Sequence, residues 1–89
     1  MELIKKCDKS IFEKILSGEK KFEVRLGNLE VSKGDTLILK ECEENNGSET
    51  GREIKKKVGF LLRTQELLWW SEEDKNKLGF VVMQLEDGN

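Results

Sequence analysis

Lys20, Glu23 and Arg25 stand within six residues of one another in the stretch SGEKKFEVR (17–25), where they set an ammonium, a carboxylate and a guanidinium just after a glycine. On a strand, residues two apart lie about 7 Å from each other on the same face, so Glu23 and Arg25 are neighbours however the sheet curls. Gly18 supplies a sharp turn that lets Lys20 lean over the same place. After pairing, each side chain keeps hydrogen-bonding capacity, which puts donors beside an acceptor. That combination suits a neutral polar ligand with mixed edges, and a nucleobase or nucleoside is the obvious case. On the outer face of a strand the same residues would be solvated decoration, with ion pairs worth about 0 to 1 kcal/mol. Composition and spacing leave both readings open.

The chain contains no histidine. That removes the Ser-His-Asp triad, the H-E-x-x-H metalloprotease helix and the His/Cys zinc site of nucleobase deaminases together, so any acid or base must be Lys, Glu, Asp or Cys. Cys7 and Cys42 lack the paired C-x-x-C spacing of a zinc or redox site and read as free thiols. Neither a metal nor a cofactor is expected. Sixteen basic against eighteen acidic residues leave a net charge of -2, which argues against non-specific duplex binding, since that affinity comes largely from counterion release. No apolar run approaches the roughly 18 residues of a membrane span, and the N-terminus lacks the apolar core of a signal peptide. The expectation is a cytoplasmic protein with no membrane partner.

The elements that must position these residues follow from periodicity. With 36% hydrophobic and 38% charged residues in 89 positions, the chain reads as one globular domain, 1–89. Met1 to Cys7 reads as a first strand with Leu3 inward. Asp8 or Ser10 can cap a helix over 9–16, where Ile11, Phe12, Ile15 and Leu16 make one apolar face, and Gly18 ends it. From Lys21 to Leu26 the pattern alternates, with Phe22, Val24 and Leu26 on one face and Lys21, Glu23 and Arg25 on the other. A polar link ends in the turn signal KGD before a strand over 36–42, and 43–51 reads as a solvated hairpin loop. The strand after it puts Arg52, Ile54, Val58, Phe60 and Leu62 on one face, interrupted by Lys56, with Gly59 as a bulge or bend. If the two strands pair antiparallel, Glu41 and Arg52 meet at the base of the hairpin, either lining the cleft or simply closing the loop.

Two further groups of residues carry alternatives. Lys55, Lys56 and Lys57 touch a phosphate backbone or mark a solvated sheet edge. Trp69 and Trp70 lie in a stretch, 64–78, that reads as a short helix followed by a second turn capped by Ser71; an exposed indole there stacks on a base, or covers the open end of a barrel. GFVVMQL (79–85) is a continuous apolar run and reads as a central or barrel strand. About five strands with one or two short helices give an α+β class, a small curved or barrel-like sheet with a helix packed on it.

FEKILSGEKKFEVR resembles the signature of the ASCH domain family, within the PUA-like β-barrel superfamily: a helix followed by G-x-K-x-x-E-x-R running into a strand. Gly18, Lys20, Glu23 and Arg25 fill those four positions in register. KGDTLILKE is similar to the family's G-D-x-L-x-L-x-E, and TGREI and GFVVMQL follow in the same block order over nearly the whole chain. The resemblance implies a PUA-like barrel whose cleft beside the motif strand binds RNA or a modified nucleoside, with Lys20, Glu23 and Arg25, and at matching positions Glu41 and Arg52, as binding residues. It also implies an alternative. Small bacterial amidohydrolases of the superfamily deacetylate acetylcytidine with a lysine at the place of Lys20, a threonine at the place of Glu23 and a distant glutamate. Here Glu23 replaces the threonine, Glu66, Glu72 and Glu73 are the candidates for the distant carboxylate, and the polar N-D-R stretch of small bacterial and phage relatives reads Gly27, Asn28, Leu29. A desolvated lysine can act as base or nucleophile with Glu23 sharing the work, but a carboxylate so close argues for an ammonium that anchors a ligand. Binding is therefore the preferred expectation. A third reading is a phage or mobile-element module that meets a protein partner, of unknown identity, through the acidic loop and the tryptophans.

Overall fold

The computed structural model describes residues 1–67, 71 and 79–87. Strand β1 (Glu2–Asp8) runs directly into helix α1 (Lys9–Leu16), and the chain turns into β2 (Phe22–Leu26). Strands β3 (Thr36–Cys42) and β4 (Glu49–Arg63) form a hairpin, a 3-10 turn spans Thr64–Glu66, and β5 (Phe80–Asp87) follows. The sheet order is β1-β3-β4-β5-β2, with β1 and β3 parallel and every other pair antiparallel. The sheet curls so that its two edge strands, β1 and β2, approach each other along an open seam; across it Arg25 Nη2 donates to the Lys6 carbonyl at 2.8 Å. The result is a small α+β half-barrel.

The apolar stripe of α1 plugs the concave side. Phe12 and Ile15 are buried against Cys7, Leu37, Leu39, Val58, Val81, Met83 and Leu85, while Ile11 packs at the margin and Leu16 stays exposed. The start of the helix differs from the expectation. Asp8 holds the N-cap position without a side-chain hydrogen bond, and the Ser10 amide, an orphan donor of the first turn, is instead satisfied by Glu44 Oε1 from the β3–β4 loop at 2.9 Å. A carboxylate 34 residues away takes the place of a local cap. At the other end the expected device is present: Gly18 adopts φ 85°, its amide donates to the Ile15 carbonyl, and the Lys20 amide returns to the Lys14 carbonyl.

Two faces run opposite to the usual rule. In β2 the alternation is as the pattern predicts, but Glu23 is the buried residue, at 5% exposure, and Phe22, Val24 and Leu26 face outward. In β4 the single face expected from Arg52 to Leu62 is broken at Gly59. The register shifts between Val58 and Leu61, so Val58 stays in the core while Phe60, 64% exposed, turns out. A bulge adds one residue to one strand and flips every side chain beyond it. The outer surface of β4, β5 and β2 consequently carries Phe22, Val24, Leu26, Phe60 and Phe80.

Two sequence expectations are corrected by the topology. Lys55, Lys56 and Lys57 do not mark a sheet edge, because β4 lies between β3 and β5, and Lys56 Nζ pairs with Asp87 Oδ1 at 2.7 Å. The hairpin loop is shorter than 43–51, since Glu49 already pairs with Cys42 in the ladder. Of the stretch 64–78, the short helix is a 3-10 turn over Thr64–Glu66, while Trp69, Trp70, Glu72 and Glu73 lie outside the described residues. Among the described residues, no helix is long and apolar enough to cross a membrane.

Candidate ligand cleft at the barrel seam

The turn at Gly18 and the pleat of β2 bring Lys20, Glu23 and Arg25 to one point. Lys20 Nζ donates to Glu23 Oε1 at 2.9 Å, and Arg25 donates to Glu23 Oε2 from Nη2 at 2.7 Å and from Nε at 3.1 Å. Glu23 sits on the concave face opposite Met83 of β5. An unpaired carboxylate there would be costly; two cations and three charge-assisted hydrogen bonds are what make the position tolerable. The cations themselves are less buried, with side-chain exposures of 18% for Lys20 and 28% for Arg25. Among the described residues, Arg25 Nη1 has no hydrogen-bond partner, and Lys20 Nζ makes one hydrogen bond, to Glu23, and lies 5.1 Å above the centre of the Phe22 ring.

A cleft of about 340 Å³ opens at this point, lined by Lys6, Cys7 and Asp8 from β1, Ile11 from α1, and Lys20, Glu23, Val24 and Arg25. Its apolar side is Ile11; its polar side is the ion-paired cluster. Cys7 faces the same place as a neutral thiol: burial first, and the Glu23 carboxylate next, push its pKa up from 9.0 to about 11. A thiol that stays protonated through the neutral range is a poor nucleophile. Among the described residues, no group of three His, Cys, Asp or Glu side chains could hold a metal ion.

Glu41 and Arg52 form a second cluster. Glu41, 2% exposed, accepts from Thr50 Oγ1 at 2.6 Å and from Arg52 Nε and Nη2 at 3.1 and 2.8 Å. Arg52 also pairs with Glu13 of α1 and lies 4.9 Å above the Phe12 ring. The Arg52 guanidinium, and then the Thr50 hydroxyl, pull the pKa of Glu41 down to about 2. These residues tie the base of the hairpin to the helix and are not among those lining the cleft. Glu66, on the 3-10 turn, does not line it either.

One contributor has no counterpart among the residues singled out by pattern. Arg63, the last residue of β4, donates to the carbonyls of Gly27, Leu29 and Val31 at 2.7, 2.9 and 3.3 Å, and so holds the link that carries the chain away from the cleft. Asp35 finishes the link by accepting from the Ser32 amide at 2.9 Å and from the Met1 ammonium at 3.2 Å. An arginine just past an apolar strand is a weak signal, because nothing in its neighbours tells which carbonyls it will reach.

The family described as "Domain of unknown function (DUF3850)" matches residues 4–84. No curated protein matches the chain. Among solved structures the chain is similar to one titled "Crystal structure of hypothetical protein PH0355", with 20% identity, a TM-score of 0.62, and coverage of 97% of this chain and 98% of that one. At that identity the likeness concerns the fold.

Proposed function

The chain belongs to the DUF3850 family, and we propose that it is an ASCH/PUA-like domain that recognises RNA or a modified nucleoside in the cleft between β1 and β2. The observation that carries this reading is Glu23: a carboxylate at 5% exposure, inside a concave cleft, holding two cations that line the same cleft. Solvated strand decoration does not bury its acid. A carboxylate kept on the concave face at a desolvation cost, with two partly exposed cations, is the arrangement expected of a binding site set up in advance.

In this reading Lys20 and Arg25 donate to phosphate, ribose or base oxygens. Glu23 accepts one hydrogen bond at Oε1 and two at Oε2, so a lone pair of Oε1 is left for a base amino group. Ile11 supports the face of the base. Glu41 and Arg52 hold the hairpin and α1 in place around the cleft. For deacetylation of an acylated cytidine, Lys20 would have to work as a base, yet its ammonium is committed to Glu23, and Cys7 is a neutral thiol. Binding is the function that these groups support best.

The test is calorimetric titration with cytidine, uridine and acetylcytidine nucleosides, for the unaltered chain and for Glu23→Gln and Lys20→Ala. The expected result is loss of affinity in Lys20→Ala and a changed order of preference in Glu23→Gln. Identical nucleoside binding by all three proteins would remove these residues from the site. Release of cytidine from acetylcytidine, abolished in Lys20→Ala, would replace binding with catalysis.

A further inference from the structure

Among the described residues, the cleft at Glu23 shares lining residues with two further cavities. On one side, Lys20 also lines a cavity of about 410 Å³ beside the C-terminal end of α1, whose wall includes Lys21 and Lys56. On the other, Arg25 also lines a cavity of about 380 Å³ with Lys5, Leu26, Asn28 and Glu30. The three therefore follow one another from the end of α1, past β2, to the link after it, with Lys20 as the post shared by the first two and Arg25 as the post shared by the last two. Both posts are fixed by the same carboxylate.

The charge of the groove is opposite to that of the chain. Lys5, Lys6, Lys20, Lys21, Arg25 and Lys56 line it against four carboxylates, Asp8, Glu23, Glu30 and Asp87, a balance of +2 in a protein of net charge -2. Two of those carboxylates, Glu23 and Asp87, are already paired with groove cations. Cations placed between cavities, and not only within them, match a ligand in which anionic linkers alternate with bulky polar units. Single-stranded RNA has that form: its phosphates track cations while unstacked bases enter pockets.

Resting on the nucleotide-binding reading above, we infer that the ligand is a single strand of RNA at least three nucleotides long, lying along the groove with a base in each cavity and its phosphates on Lys20 and Arg25. A lone nucleoside occupies only the middle cavity. Each phosphate on a post makes a charge-assisted hydrogen bond, so each added nucleotide is expected to tighten binding about tenfold.

The experiment measures affinity for a nucleoside, a dinucleotide and a trinucleotide, with an abasic trinucleotide and a glutamate-rich peptide of equal charge as comparisons. It uses the unaltered protein, the double variant Lys21→Gln/Lys56→Gln and Asn28→Ala, all three positions being on the molecular surface or in an outer cavity. Expected is a rise in affinity with length. The outer-cavity variants should weaken the trinucleotide about tenfold while leaving the nucleoside unchanged. The salt slope of trinucleotide binding should stay the same in the double variant, because both phosphates lie on Lys20 and Arg25, which it retains. Equal affinity for nucleoside and trinucleotide would overturn the groove and leave the nucleoside site standing. Binding of the abasic strand or the acidic peptide as tightly as the trinucleotide would also overturn it, since charge alone would then suffice. No binding of any nucleoside or oligonucleotide would remove both readings.

Discussion

Replacing Glu23 by glutamine keeps the shape of the side chain and removes the charge on which Lys20 and Arg25 converge. In a fully buried pair, removing one partner costs about 3 to 5 kcal/mol, because the other charge is left unpaired in a low dielectric. Here the stranded groups are not fully buried: Lys20 and Arg25 keep side-chain exposures of 18% and 28%, so water reaches both. Glutamine also retains one carbonyl oxygen, enough for one of the two cations, while its amide group turns a donor toward the other. The expected loss is therefore below that range, about 2 kcal/mol, against about 0 to 1 kcal/mol for an exposed pair. For a domain of this size, a loss of about 2 kcal/mol corresponds to a fall in Tm of about 8 to 16 °C. Urea unfolding followed by far-UV circular dichroism, with the slope unchanged and the midpoint lowered, measures it directly. A loss below about 0.5 kcal/mol, within the range of an exposed pair, would place Glu23 in solvent and refute the burial on which the site depends.

Three other perturbations follow from the same interactions. The pKa of Glu41 is lowered from 4.5 to about 2, and those of Asp35, Glu44 and Asp87 are lowered as well; a depressed carboxylate adds stability above its unfolded pKa that disappears as pH falls through the folded one, so the urea midpoint should decline from about pH 4.5 toward pH 2, and Glu41→Gln should flatten that decline. Cys7 behaves in the opposite sense: its thiol is raised from 9.0 to about 11, so the stability it provides is complete below pH 9 and is lost as pH rises to 11, a loss that Cys7→Ala should not show. Arg63→Ala removes three hydrogen bonds to the carbonyls of the 27–31 link; amide exchange should accelerate there, with stability lower by about 2 kcal/mol, and unchanged exchange would show that Arg63 does not hold the link.

Much of the fold is legible in local pattern. The helix over 9–16 is written in the spacing of Ile11, Phe12 and Ile15, its end in Gly18, and the strand after it in the alternation from Phe22 to Leu26. Alternation tells which side chains share a face, and not which face turns inward. The usual assumption would bury Phe22, Val24 and Leu26. Glu23 goes inside instead because Lys20, from the preceding turn, and Arg25, two residues on, reach the same carboxylate. That outcome depends on where β1 and β2 end up, and the sheet order that places them on opposite sides of a seam involves pairings far apart in the chain. The same holds for Glu44 at the start of α1 and for Arg63 under the link, both of which act over more than 30 residues. Gly59 marks the bulge, but its consequence, the outward turn of Phe60, requires the register of the partner strand.

The site itself divides along similar lines. The cluster of Lys20, Glu23 and Arg25 is readable because its members are close in sequence, and the pairing of Glu41 with Arg52 follows from the hairpin. The wall contributed by Lys6, Cys7 and Ile11 is not readable, since β1 and α1 supply it from the other side of the seam.

The most direct measurement is a crystal of the protein soaked with a short RNA such as a trinucleotide. Density for a base in the cavity between β1 and β2, with an oxygen of the ligand within hydrogen-bonding distance of Lys20 Nζ and of Arg25 Nη1, is the predicted result. Ligand bound elsewhere on the molecule while Lys20, Glu23 and Arg25 keep only one another for company would contradict it.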